Sequence, residues 1–120
     1  MTRLADTLWY ERRLLEYLLF KLVSANLVLI ADDRRFVGPA VAEVDAVMSE
    51  IRKAEEQRSI VIDSVAAEFG VSPAQVSMNF LVEASPAALR ATFEDHQDAF
   101  MKLVGEIEVL TKENRRLATV

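Results

Sequence analysis

An all-α fold is predicted: an antiparallel helical bundle or coiled coil of three long helices plus one short helix. Three observations predict it. Leucine recurs at seven-residue intervals through Leu8, Leu15, Leu22 and Leu29, a period that drives long helices to pack on neighbours. Only three Gly and three Pro interrupt 120 residues, whereas a sandwich or barrel needs turn chemistry about every 8–12 residues. No stretch of useful length alternates apolar and polar residues as a half-buried strand does. At least about 75 of the 120 residues are therefore expected to be helical, well above the usual one third.

The first helix is predicted from about Arg3 to about Asp32, with Leu4, Leu18, Leu19 and Ala25 filling in around the leucine stripe and Thr2 as its N-cap. A break follows within residues 32–39. Gly38-Pro39 reads as its turn, with Pro39 at the first position of the second helix; alternatively the helix restarts earlier and Gly38-Pro39 only kinks it. The short connection makes the second helix antiparallel to the first. Its stripe runs Val37, Val41, Val44, Met48, Ile51, Ile62, Val65 and Phe69, interrupted by Glu55 and Arg58. Gly70 suits the left-handed residue that ends a helix. Ser72-Pro73 opens a short helix holding Val76, Phe80 and Leu81 and ending near Ala84. Ser85-Pro86 repeats that start signal. Leu89, Phe93, Phe100, Leu103, Ile107, Leu110 and Leu117 then trace one face to the chain end, with His96 and Asn114 on it.

Length fits a single domain over residues 1–120. Fourteen basic against 19 acidic residues give a net charge of −5, so a nucleic-acid partner is not expected. The absence of cysteine removes disulfides, thiolate metal sites and thiol nucleophiles, and fits a reducing cytosol. No signal peptide is read at the start. Leu14–Ala31 approaches the length of a membrane span, but it carries Glu16, Lys21, Ser24 and Asn26. Charge near the centre of a span is costly, so the segment reads as a helix buried in a bundle, without membrane insertion.

No catalytic, cofactor-binding or metal-binding residue is assigned. His96 is the single histidine, and bundle metal centres place a Glu three residues before each of two histidines. Phe93 holds that place here. His96 is instead expected in a helix seam, partly buried and hydrogen-bonded. Glu55-Glu56, Asp32-Asp33 and Glu94-Asp95 are sequence neighbours that diverge by about 100° on a helix, so they do not converge on a substrate. No base stands near a serine, and three isolated glycines form no phosphate loop. An enzyme is not expected. Arg58 pairs with Glu55 on one helix face in this reading; it and Asn114 fix register within the seam. The last helix keeps its apolar spacing almost to Val120, so either the chain's own helices or a partner helix covers it.

Leu8-Trp9-Tyr10-Glu11-Arg12-Arg13-Leu14-Leu15-Glu16, followed by Leu18-Leu19-Phe20-Lys21-Leu22, resembles the first helix of FlgN-type flagellar export chaperones in their actinobacterial form. Glu43-Val44-Asp45-Ala46-Val47-Met48-Ser49-Glu50-Ile51, running on to Glu55-Glu56-Gln57-Arg58, is similar to that family's second helix, and Glu113-Asn114-Arg115-Arg116-Leu117 to its close. The resemblance covers nearly the whole chain, and it rests on the order and spacing of motifs that are individually common. It implies a cytoplasmic chaperone for hook-associated (hook–filament junction) proteins. Such a chaperone holds the client's C-terminal helical segment until flagellar type III export and contacts the export apparatus. The partner-binding face it implies is Leu103, Ile107, Leu110, Asn114 and Leu117. Members often carry a further tail, while this chain stops soon after Leu117; if a tail is missing, part of the client site or of the export-machinery contact is missing with it. The competing reading is a structural coiled-coil adaptor that self-associates as a homo-oligomer through the same stripes, with no export role.

Overall fold

A computed structural model describes residues 1–118, and these are helical almost throughout. Helices α1 (Thr2–Ala31), α2 (Arg34–Phe69), α3 (Met78–Ala84) and α4 (Ala87–Ala118) are joined by short connections, one of which holds a 3-10 turn at Pro73–Gln75. The three long helices have 30, 36 and 32 residues, which meets the expected helical content. At about 1.5 Å per residue the longest matches the 53 Å long axis of the molecule.

α1 is the hub. α2 packs on one side of it and α4 on another, with little direct packing between α2 and α4. Ion pairs fix the directions: Glu11 with Arg58 and Lys21 with Glu43 make α2 antiparallel to α1. Arg12 with Asp95 and Asn26 with Asn114 make α4 parallel to it. The up-down-up path leaves α3 packed on the start of α4, where Gln97 Nε2 donates to Asn79 Oδ1 at 2.8 Å and Arg90 Nε to the Val82 carbonyl at 3.1 Å.

The first break falls within residues 32–39, where it is expected, in the alternative form of a helix that restarts before Gly38-Pro39. It is made by Asp32 and Asp33, not by Gly38-Pro39, and Pro39 lies inside α2. Asp32 takes the left-handed conformation at φ 53°, which Asp tolerates better than most residues because its short side chain bonds locally. Asp33 then caps α2: its Oδ1 accepts the Arg35 N–H at 3.3 Å, and its carboxylate also binds the Arg35 guanidinium. The cap starts the helix before proline can. At the other end of α1, Thr2 is the first helical residue and Met1 stands at the cap without a side-chain bond.

Gly70 ends α2 at φ +66°, as its sequence position requires. The short helix is divided. Ser72, whose N–H donates to Gln75 Oε1 at 2.9 Å, starts the 3-10 turn. Ser77 Oγ accepts the Phe80 N–H at 3.1 Å and starts α3 proper. On α2 the buried residues are Val47, Ile51, Ala54, Val61, Val65 and Ala66, while Val41, Met48 and Phe69 from the expected stripe are exposed. The stripe is rotated because α2 covers only one flank of α1.

Two apolar clusters result. The larger sits at the α3 end, with Leu4, Leu8, Val61, Val65, Leu81 and Phe93 among its members. The smaller is Leu18, Leu22, Val47 and Ile51, with Ile107 and Leu110 packed against it. α1 is the one helix among the described residues long and apolar enough to cross a membrane. Against the expectation of a buried helix, only 22% of its apolar window is buried, and Phe20, Val23, Leu27 and Ile30 are exposed, although ion pairs join α1 to α2 and α4.

Candidate helix-accepting cleft

The five residues of the expected partner face all lie on the side of α4 turned toward α1. Leu103 is buried, Ile107 and Leu110 pack against the smaller cluster, and Asn114 Nδ2 donates to Oδ1 of the buried Asn26 at 2.9 Å. Leu117 is half-buried. Much of that face is therefore covered by the chain's own first helix.

It is not closed completely. Because α2 and α4 diverge over α1 at this end, a cleft of about 260 Å³ opens between them. Leu18, Leu22 and Ala25 form its floor, Val41, Val44 and Met48 one wall, and Ile107, Thr111 and Asn114 the other; Asp45 and Arg115 carry opposite charges at its edges. Val41 and Met48 are each 42% exposed, so apolar surface lines the rim as well as the floor. Of the expected partner face, Ile107 and Asn114 line this cleft. The α2 wall was not part of that expectation, since Val41 and Met48 read as ordinary members of a core stripe.

Two polar residues of the stripes have partners that the sequence reading misplaced. Arg58 does not pair with Glu55. Its Nη1 donates to Glu11 Oε1 at 2.7 Å, across from α2 to α1. Glu11 is 3% exposed, and burial pushes its carboxyl above the usual carboxylate range; Arg58 opposes that rise and Glu55 adds to it. His96 is wholly buried, not partly, and neither ring nitrogen has a hydrogen-bond partner among the described residues. It is held by rings: the edge of Trp9 at 4.8 Å and Phe100 at 6.0 Å. Among the described residues no three metal-ligating side chains of the His, Asp or Glu type converge.

Burial pushes the His96 pKa below its ordinary 6.5, with Arg12 adding to the fall and Asp95 opposing it. The folded chain thus binds this proton less well than the unfolded chain. Its contribution is complete above about pH 6.5 and is lost as pH falls below that value. The melting temperature is expected to decline between about pH 7 and 5, and His96→Phe is expected to flatten that decline. Equal slopes for both proteins in circular dichroism melts would contradict the assignment.

Fold and cleft together define a class: an all-α helical bundle with a largely apolar cleft between two of its long helices. The family model described as FlgN protein matches residues 1–119, and the chain belongs to that family, the flagellar export chaperones. No curated protein and no solved structure matches the chain significantly.

Proposed function

We propose that the chain is a cytoplasmic chaperone that holds the C-terminal helical segment of hook-associated proteins before their flagellar type III export. The role is binding, with no catalytic residue and no cofactor. The cleft between α2 and α4 carries this reading. A client helix laid along it covers Val41, Val44, Met48, Ile107 and Asn114 and completes a four-helix arrangement around the smaller cluster. Of the residues implied by family resemblance, Ile107 and Asn114 meet the client in this arrangement. Leu103, Leu110 and Leu117 hold α4 on α1 beneath it.

That division decides which substitution tests the site. Leu110→Asp puts a charge against the chain's own core, so a loss of binding would be confounded by unfolding. Met48→Asp acts on the exposed rim and spares the core. Covering a Met side chain is worth about 1.5–3 kcal/mol, so removing it should weaken the client about 10- to 100-fold. Calorimetry with the C-terminal peptide of a hook-associated protein reads this directly, with circular dichroism showing unchanged helicity. Undiminished affinity in folded Met48→Asp and Val41→Asp proteins would rule the cleft out.

A further inference from the structure

At the far end of the bundle the chain already holds a helix in the place assigned above to the client. A second cavity, of about 360 Å³, lies beneath α3, and the long helices line it with Leu4, Leu8, Arg58, Ile62 and Phe100. Each of these stands fourteen positions from a residue of the cleft, in turn Leu18, Leu22, Val44, Met48 and Asn114. The step runs toward the N-terminus on α1 and α4 and toward the C-terminus on the antiparallel α2. Fourteen residues are two heptads, which return a packed helix to the same face about 21 Å along its axis. Cavity and cleft are therefore two openings of one groove. Over the first of them α3 supplies the fourth wall, through Met78 and Leu81.

The direction of α3 is fixed by its bonds to α4. Asn79 pairs with Gln97 and Val82 with Arg90, so α3 descends α4 as its own numbering rises. Its short link to α4 imposes that direction, and the helix dipoles give an independent reason for the same direction at the cleft. α1 and α4 both end on the cleft side of the bundle, at Ala31 and Ala118, and only α2 begins there, at Arg34. Two negative helix ends thus stand beside one positive end. A fourth helix that starts at this end balances them.

The charges at the cleft agree with a helix that starts there. Arg115 and Asp45 both line the cleft, and neither makes an ion pair among the described residues. Arg115 is the α4 residue nearest the end in question, where acidic side chains suit the first turn of a helix. Asp45 lies deeper, on the α2 wall.

We propose that the client helix lies antiparallel to α1 and α4, an inference that rests on the client reading above. Acidic residues of its first turn face Arg115, and a basic residue on its other flank faces Asp45. Its apolar anchors recur at i and i+3, as Met78 and Leu81 do in the equivalent place.

The chain has no cysteine, so thiol capture at one engineered position reads the orientation. Ala118→Cys places a thiol just beyond Arg115, and Val104→Cys places one on exposed α4 surface seven residues before Thr111. The probe is a C-terminal peptide of a hook-associated protein, about 15 residues long to match the span between those positions, with cysteine at its first or its last residue. Ala118→Cys is expected to capture the N-terminal cysteine at least tenfold faster than the C-terminal one, and Val104→Cys the reverse. A second pair of peptides differs only in the first turn, two Glu against two Lys. The Glu peptide is expected to bind at least fivefold tighter, and Arg115→Glu to reverse that order. Capture in the opposite sense, or without preference, overturns the proposal, as does an order that Arg115→Glu leaves unchanged. Where Met48→Asp still abolishes capture, those results overturn the orientation alone and leave the cleft standing. Capture indifferent to Met48→Asp rejects the cleft and the orientation with it.

Discussion

Replacing Arg58 with Met is expected to destabilise the chain by about 2–3 kcal/mol at neutral pH. Removing one partner of a wholly buried ion pair typically costs about 3–5 kcal/mol, because a charge is left in a dry interior. The lower figure applies because the Arg58 side chain is 37% exposed, so water reaches one side of the pair. Glu11 is the vulnerable member. Burial already holds its carboxyl above the ordinary 4.5 with Arg58 beside it. Without Arg58, both the opposing charge and the hydrogen bond that lower it are gone, and its pKa rises further. A carboxyl with a raised folded pKa contributes stability below the unfolded value, and that contribution is lost as pH rises through the folded one. The deficit of Arg58→Met relative to wild type should therefore shrink as both are compared at pH values descending toward 4.5. Urea denaturation at each pH measures it. Adding Glu11→Leu to Arg58→Met should recover most of the loss at neutral pH, since an apolar pair has no charge to desolvate. An Arg58→Met protein as stable as wild type at pH 7 would show that Glu11 is solvated in solution.

The sequence stated the helices more clearly than their pairing. Gly70 and Ser72 act locally, through a left-handed residue and a side-chain exchange with Gln75, so their positions transfer directly to the structure. Ser85, by contrast, marks the start of α4 by position alone, its buried Oγ having no hydrogen-bond partner among the described residues. The Asp32-Asp33 turn was one of two readings, because Gly38-Pro39 is the louder punctuation. Proline is barred from the first position here only because Asp33 has already capped the helix. Local chemistry of this kind is legible once the cap is weighed above the breaker.

Register between helices is another matter. Arg58, His96 and Asn114 stood out as polar residues on apolar stripes, and Asn26 as a polar interruption of Leu14–Ala31, whereas Glu11 did not stand out. Their partners lie 47 residues away for Arg58 and 88 for Asn114. Nothing within a turn or two of helix selects Glu11 over Glu55 for Arg58. The choice follows from how α2 slides along α1, which the packing of Val47, Ala54 and Val61 sets. The cleft has the same origin. Its α4 wall was readable from spacing, but its α2 wall exists because α2 and α4 diverge, and no single stripe encodes the distance between two helices.

Phe93→Ala is expected to be the most damaging single truncation, at about 3–5 kcal/mol, the range for deleting a buried aromatic ring. Phe93 is fully buried at the centre of the larger cluster, against residues of α1, α2 and α3. For a domain of this size such a loss should lower the melting temperature by about 10–20 °C. The informative part is what it should leave alone. The larger cluster sits at the α3 end, and the proposed client cleft lies over the separate cluster of Leu18, Leu22, Val47 and Ile51. Mutations at sites that share no partners behave independently. At a temperature where the variant remains folded, its affinity for a client peptide should therefore match wild type within about twofold, well under the 1.4 kcal/mol that a tenfold change represents. Ile107→Ala should behave in the opposite sense. It truncates a half-buried wall residue, so it should cost less stability than Phe93→Ala yet weaken the client. Thermal melts and calorimetry on the two variants separate these effects. If folded Phe93→Ala also loses the client, the two ends act as one cooperative unit, and α4 must move along its whole length to admit a partner.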